Sequence, residues 1–115
     1  MRRAADFEQA VRRGARGGRD TLVVHLTTRT DHSPSGPVVG LVVSKSVGNA
    51  VTRNVVKRRL RELVRSRLSS LPSTACIVVR ALPPAAERPY AALGADLDSA
   101  LGGAQRRAAQ RQSRA

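Results

Sequence analysis

Hydrophobic residues recur along this chain with two different spacings, and the change from one to the other predicts where helices and strands lie. In residues 3–13, and again from Val51 onward, apolar side chains return every three or four positions, which is the period of an amphipathic helix. A third helix begins at Pro89, because proline favours the first turn of a helix. The second and third helices have as apolar stripes Val56, Leu60, Leu63, Val64 and Leu68, and Tyr90, Leu93, Leu97, Ala100 and Leu101.

Three further segments have the pattern of strands. In Thr21–Arg29 and Thr74–Leu82 the side chains alternate between two faces, as they do along an extended chain. Val38–Ser44 is almost entirely apolar, which predicts a central strand covered on at least one face. Thr30–Pro37 is rich in turn formers and predicts a hairpin loop. Residues 14–20 read as a glycine-rich link that can hold a short extra strand.

The predicted order is helix, strand, strand, helix, strand, helix. This order is typical of an α+β fold, an α/β two-layer sandwich in which helices pack on a small mixed sheet. A chain of 115 residues suffices for one such domain, which we place at residues 1–101. Residues 102–115 contain four Arg, no acid and no apolar stripe, so we expect a disordered basic tail.

The charge balance narrows the function to nucleic-acid binding. Lys and Arg total 21 against 8 acids, a formal net charge of +13, and the pI is near 11.9. Phe7 and Tyr90 are the only aromatic residues, which disfavours a single-strand binder that depends on several stacking rings. Cys76 is the single cysteine, so no internal disulfide can form. The chain has no secretory signal, and we expect a cytoplasmic protein.

The positive charge is most concentrated in the second predicted helix, where residues 51–70 hold seven Lys or Arg and one acid, Glu62. Asn49 can cap this helix, and Gly48 permits the turn before it. Four cations spaced four residues apart form a ladder: Arg53, Lys57, Arg61 and Arg65. Like charges at this spacing cost about a few tenths of a kcal/mol per pair. This pattern favours an anionic partner, the alternative being a solvated basic face in an arginine-rich protein.

The sequence offers no catalytic constellation of its own. Asp96 and Asp98 lie two residues apart on a helix and therefore do not face one another. His25 has no second His, Cys or carboxylate at a spacing that suits a metal ligand. A protein-only nuclease needs clustered carboxylates to hold two metal ions. We therefore expect neither a protein active site nor a metal site.

The run from Gly48 to Glu62 resembles the signature of the bacterial ribonuclease P protein subunit. The matching signature residues are Arg53, Asn54, Lys57, Arg58 and Arg61. The resemblance covers roughly residues 3–101. It implies the family's fold, with a left-handed strand–helix–strand crossover. It also implies that an RNA subunit, which holds the catalytic Mg²⁺, cleaves the 5′ leader from precursor tRNA while the protein binds the leader.

The same resemblance assigns residues to two surfaces, in a monomer that joins a one-protein, one-RNA complex. The surface that binds the ribonuclease P RNA would comprise Arg53, Asn54, Lys57, Arg58, Arg61 and Arg65. The cleft for the precursor tRNA 5′ leader would comprise Phe7, Val11, Val23, His25, Lys45, Ser46 and Arg80.

Three of these leader-cleft assignments depart from the family pattern or leave an alternative. Val11 stands where the family has a larger side chain and cannot stack a base. The strand register of Arg80 is open, and the alternative for His25 is an ordinary surface-facing or half-buried histidine. For the whole chain, a small basic ribosomal or other RNA-binding structural protein and a DNA-binding regulator remain alternative functions.

Overall fold

The computed structural model describes residues 14–28 and 36–114, with side chains to Arg111. The predicted first helix, with Phe7 and Val11, and most of the predicted hairpin loop lie outside the described residues. The described chain forms four strands and two helices: β1 Ala15–Gly18, β2 Leu22–Thr28, β3 Val38–Val42, α1 Ala50–Arg65, β4 Ala75–Ala81 and α2 Tyr90–Arg114. The extra strand that residues 14–20 could hold is present as β1.

The strands form one mixed sheet in the order β1-β2-β4-β3. β2 pairs antiparallel with both β1 and β4, whereas β3 pairs parallel with β4. This arrangement confirms the predicted α+β fold with a small mixed sheet. The prediction that Val38–Ser44 forms a central strand is wrong, because β3 lies at an edge of the sheet. Its apolar side chains are mostly only partly buried, Val42 is exposed, and its outer edge has no strand partner among the described residues.

Both helices pack on the same face of the sheet and enclose the core with it. The alternation predicted for β2 is confirmed, because Leu22 and Val24 are fully buried in this core while Val23 and His25 belong to the opposite face. β4 alternates in the same way: Ile77 joins the helix-side core, and the opposite face carries a smaller apolar cluster. Each inner strand therefore supplies both faces of the sheet.

The helix α1 begins and packs as its local sequence predicts. The side-chain oxygen of Asn49 accepts a hydrogen bond of 2.9 Å from the backbone N–H of Thr52, which caps the helix as predicted. A Cβ at Gly48 would lie 2.9 Å from Cγ2 of Thr52, so the turn requires glycine at this position. The buried residues of the helix are Val56, Leu60, Leu63 and Val64. Because this stripe faces the sheet, the basic residues face outward.

The helix α2 differs from its prediction at its C-terminal end. It continues without a break to Arg114, so the disordered tail expected from residue 102 is instead helical, and the domain boundary expected at residue 101 falls inside a helix. Ala104 is fully buried, and a Cβ at Gly17 would lie 1.9 Å from the carbonyl oxygen of Ala100. The helix thus lies directly on β1. This tertiary packing outweighs the tendency of Gly102 and Gly103 to end a helix.

Candidate RNA-binding surfaces

The outward side of α1 carries positive charge that the protein itself does not neutralise. Of the predicted RNA-subunit residues, Asn54, Arg58, Arg61 and Arg65 are exposed and Lys57 is half-buried. None of these cations forms an ion pair within residues 14–28 and 36–114. Since the helix is fixed by its buried stripe, these groups are held on a stiff support and remain free to bind an anion.

Arg53 differs from the rest of the ladder because it has a local structural role. Its side chain is half-buried, and its Nε donates a hydrogen bond of 3.2 Å to the carbonyl oxygen of Gly48. This bond fastens the first turn of α1 to the loop before it. The remaining guanidinium nitrogens can still meet a phosphate, but removing Arg53 would also loosen the loop.

Arg67, just beyond α1, has a structural role. Its guanidinium donates two hydrogen bonds to the carboxylate of Asp98 on α2, one from Nε to Oδ1 and one of 3.1 Å from Nη2 to Oδ2. Its Nη1 also donates to the carbonyl oxygen of Leu63 at 2.8 Å. The hydrogen bond from Arg67 lowers the pKa of Asp98, and the same bond raises the pKa of Arg67. The pair joins the two helices.

The sheet face opposite the helices brings together residues from all four strands. The register places His25 between Arg16 on β1 and Val78 on β4, and places Arg80 between Val23 on β2 and Val42 on β3. Arg80 therefore lies on the same face as Val23 and His25, which settles its register. Arg16 was not among the predicted site residues. No local sequence signal marks it, because its place beside His25 follows from the pairing of β1 with β2.

His25 and Val23 are both buried, whereas the alternative interpretation of His25 was an ordinary surface-facing or half-buried histidine. His25 is only 3% exposed, and neither ring nitrogen has a hydrogen-bond partner in the described structure. Burial lowers the pKa of His25, and the nearby charges of Arg80 and Arg16 lower that pKa further. In this conformation a nucleotide can reach the two arginines but not the imidazole. A leader contact by His25 stays a prediction.

Lys45 and Ser46 lie at the end of the sheet where Arg80 lies. Both are exposed in the short 3-10 helix Lys45–Val47 that follows β3. β3 and β4 are parallel and Val42 lies opposite Arg80, so the two strands finish at the same end of the sheet. Lys45 thus stands between the end of β3 and the start of α1.

Comparison with known proteins decides the family. A family model described as Ribonuclease P matches residues 1–105. The ribonuclease P protein component of Salinispora tropica is 52% identical over 120 residues, which cover 90% of this chain and 88% of that relative. The counterpart in Streptomyces bikiniensis is 57% identical over 107 residues, covering 88% and 87%. The chain belongs to the ribonuclease P protein family.

The solved structures agree with this assignment. The Staphylococcus aureus RNase P protein superposes with a TM-score of 0.75 at 27% identity, covering 89% of this chain and 91% of that one. The chain is thus a protein subunit of the ribonucleoprotein endonuclease that processes the 5′ end of tRNA. Ribonuclease P RNA and precursor tRNA are its partners.

Two acids on α2 of this ribonuclease P protein, Asp96 and Asp98, stabilise its fold. Asp96 is half-buried and accepts a hydrogen bond of 2.7 Å from Oγ1 of Thr21, and Nε of Arg19 lies 3.8 Å from its Oδ1. In the described part of the chain, no three His, Cys, Asp or Glu side chains come together as a metal site would require. Neither described helix is long and apolar enough to cross a membrane.

Proposed function

We propose that the outward face of α1 binds the RNA subunit through its phosphates and sugars. The residues are Arg53, Asn54, Lys57, Arg58, Arg61 and Arg65. One observation carries the proposal: the charges from Lys57 to Arg65 are unpaired in the described structure, and they stand on a helix whose opposite side is fully buried. An RNA backbone would offset their mutual repulsion, and its counterion release would make binding strongly salt-dependent.

In this proposal the sheet face opposite the helices, called the far face, binds the 5′ leader of precursor tRNA. Arg16, Lys45 and Arg80 are exposed on or beside that face and contact the leader phosphates. Val23 and His25 form the buried floor beneath them, and Ser46 adjoins Lys45. Phe7 and Val11, outside the described residues, are the other leader contacts that the family resemblance assigns.

Magnesium belongs to the RNA in this account. Asp96 and Asp98 are engaged with Thr21 and Arg67, so these carboxylates do not fit a protein-held Mg²⁺. The ion that supports cleavage is held by the RNA subunit and the substrate. The protein's cations neutralise two RNA backbones at once, which lowers the concentration of Mg²⁺ that the complex needs. One protein and one RNA form this complex in the cytoplasm, where both RNA partners are available.

Reconstitution at low Mg²⁺ tests the proposed function. The purified chain, added to its RNA subunit, should restore cleavage of precursor tRNA at a Mg²⁺ concentration where the RNA alone is inactive. Absence of stimulation, with the protein shown to be folded, would reject the proposal. Tight binding to ribosomal RNA without stimulation would instead favour a structural ribosomal protein.

The leader contact has its own test. Arg80→Ala should weaken binding of leader-bearing precursor tRNA to the complex but leave binding of mature tRNA unchanged. Arg88→Ala is the matched control, because Nη2 of Arg88 lies 4.0 Å from Oδ2 of Asp20 and this arginine is therefore paired within the protein. Equal losses for precursor and mature tRNA would count against a leader role for Arg80.

A further inference from the structure

A groove between α1 and the edge strand β3 has no role in the functions described so far. It encloses a cavity of about 200 Å³. Its lining combines four aliphatic residues and two arginines: Val39, Leu41, Val64, Leu68, Arg61 and Arg65. A cavity of this size can accept a planar base, and its walls are hydrocarbon.

The groove is open because of where β3 lies in the sheet. As the edge strand, β3 has no neighbour on its outer side among the described residues. Its core-facing side chains Val39 and Leu41 are only partly buried, although they pack against the same core as Val64. Apolar surface of this kind is unfavourable in water, and its position beside a binding helix marks it as a place for a ligand.

The charges at the rim identify the class of ligand. Arg61 and Arg65 lie one helical turn apart, are exposed, and form no ion pair in the described structure. They also belong to the basic face of α1, so the groove is continuous with the surface proposed to bind the RNA subunit. A nucleotide matches both features, because its base is flat and largely apolar on its faces while its two flanking phosphates are anionic. An extended peptide would match the apolar walls but would need acidic residues at both arginines.

We propose that this groove receives one unstacked base of the RNA subunit, with Arg61 and Arg65 holding the phosphates on either side of it. This inference rests on the proposed binding of the RNA subunit by α1. The side chains of Val39, Leu41, Val64 and Leu68 offer no hydrogen-bond partner to the edge of a base. The groove therefore selects an unpaired nucleotide that can leave its stack, and it tolerates any of the four bases.

Plugging the groove tests the proposal. Leu41→Phe and, from the other wall, Leu68→Phe each place a ring where the base would lie. Each should weaken binding of the RNA subunit by about three- to tenfold. Chemical probing of the RNA in the complex should show that a small number of unpaired nucleotides lose protection, while the rest of the footprint persists. Ala95→Phe, on the exposed side of α2, is the control and should leave affinity and footprint unchanged.

Cross-linking provides a second readout that does not depend on filling the groove. Leu68→Cys can carry a photoreactive group, because the single native cysteine, Cys76, is fully buried and does not compete for the label. In the assembled complex the label should react with an unpaired nucleotide of the RNA subunit.

The outcomes distinguish the proposed base site from the proposed binding of the RNA subunit by α1. Wild-type affinity and footprint in both plugged variants, or a label that reacts with no RNA, would overturn the base site while Arg58→Ala still weakened binding. If the wild-type protein failed to bind the RNA subunit at all, the proposed function itself would fail. A melting temperature within about 2 °C of wild type for the plugged variants would show that their fold is intact.

Discussion

The two helices of this ribonuclease P protein lie on the same face of one sheet, but the acids of α2 and the cations of α1 have opposite roles. On α2, Asp96 and Asp98 pair with Thr21, Arg19 and Arg67 and connect the helix to its neighbours. On α1, the exposed cations have no such partners within the described residues. Both helices bury an aliphatic stripe, so the difference lies entirely on their outer sides.

This difference separates structural charge, which is paired within the protein, from binding charge, which is left unpaired for a partner. An arginine that meets a carboxylate of its own protein contributes up to about 1 kcal/mol to folding when the pair is exposed. A ladder of unpaired arginines slightly opposes folding, since neighbouring charges repel one another. Its persistence on α1 is explained if the charges are neutralised only in the complex with RNA.

The largest effect on the structural side should come from Gly17→Val. A Cβ at this position would lie 1.9 Å from the carbonyl oxygen of Ala100, so β1 and α2 would have to move apart. We expect the free energy of unfolding to fall by about 3 kcal/mol, measured by urea denaturation. Gly18→Val is the control, because the nearest atom to its added Cβ would lie at 3.7 Å. Equal stability of the two variants would show that α2 is not packed on β1 as described.

The largest effect on the binding side should come from Arg58→Ala combined with Arg65→Ala. Loss of two phosphate contacts should reduce the slope of log K against log salt by about 1.5 to 2. Stability should remain unchanged or rise by about a few tenths of a kcal/mol as repulsion is relieved. Arg19→Ala combined with Arg88→Ala removes the same charge from paired positions. If that control changed the slope equally, net charge rather than the face of α1 would govern binding.

A smaller effect, on the pH dependence of stability, should come from His25 on the sheet face opposite the helices. The pKa of His25 is lowered from 6.5 by burial and by Arg80 and Arg16, so the folded protein favours the neutral imidazole. The unfolded chain takes up a proton near pH 6.5, and stability should therefore fall as the pH falls below that value. His25→Phe should flatten this dependence, as measured by denaturation at pH 7.5 and 5.5. The other histidine, His32, is present in both proteins, so an unchanged pH dependence would show that His25 is not the titrating group.

The sequence sufficed for α1 because every signal for it is local. Asn49 caps the helix within three residues, and the buried stripe from Val56 to Val64 is readable from spacing alone. The basic face follows once that stripe is assigned. The same reasoning gave the two faces of β2 and β4, whose alternation needs no knowledge of their neighbours.

The features that were predicted wrongly all depend on contacts between distant segments. Val38–Val42 is as apolar as a central strand, and only the strand order shows that it lies at the edge. Residues 102–115 have the composition of a disordered basic tail, but the packing of α2 against Gly17 keeps the chain helical to Arg114. The burial of His25 and the exposure of Arg16 follow from the pairing of β1 with β2, which no local pattern specifies.

A single pair of variants tests the separation between binding charge and structural charge most directly. Arg61→Ala and Arg67→Ala each remove one arginine from the same stretch of chain, but Arg61 is unpaired in the described structure whereas Arg67 binds Asp98. The measurement is the salt dependence of RNA-subunit affinity, with the melting temperature determined alongside. The account predicts that Arg61→Ala reduces the slope by about 1 at unchanged melting temperature, and that Arg67→Ala lowers the melting temperature at unchanged slope. Equal changes of slope in the two variants would contradict it.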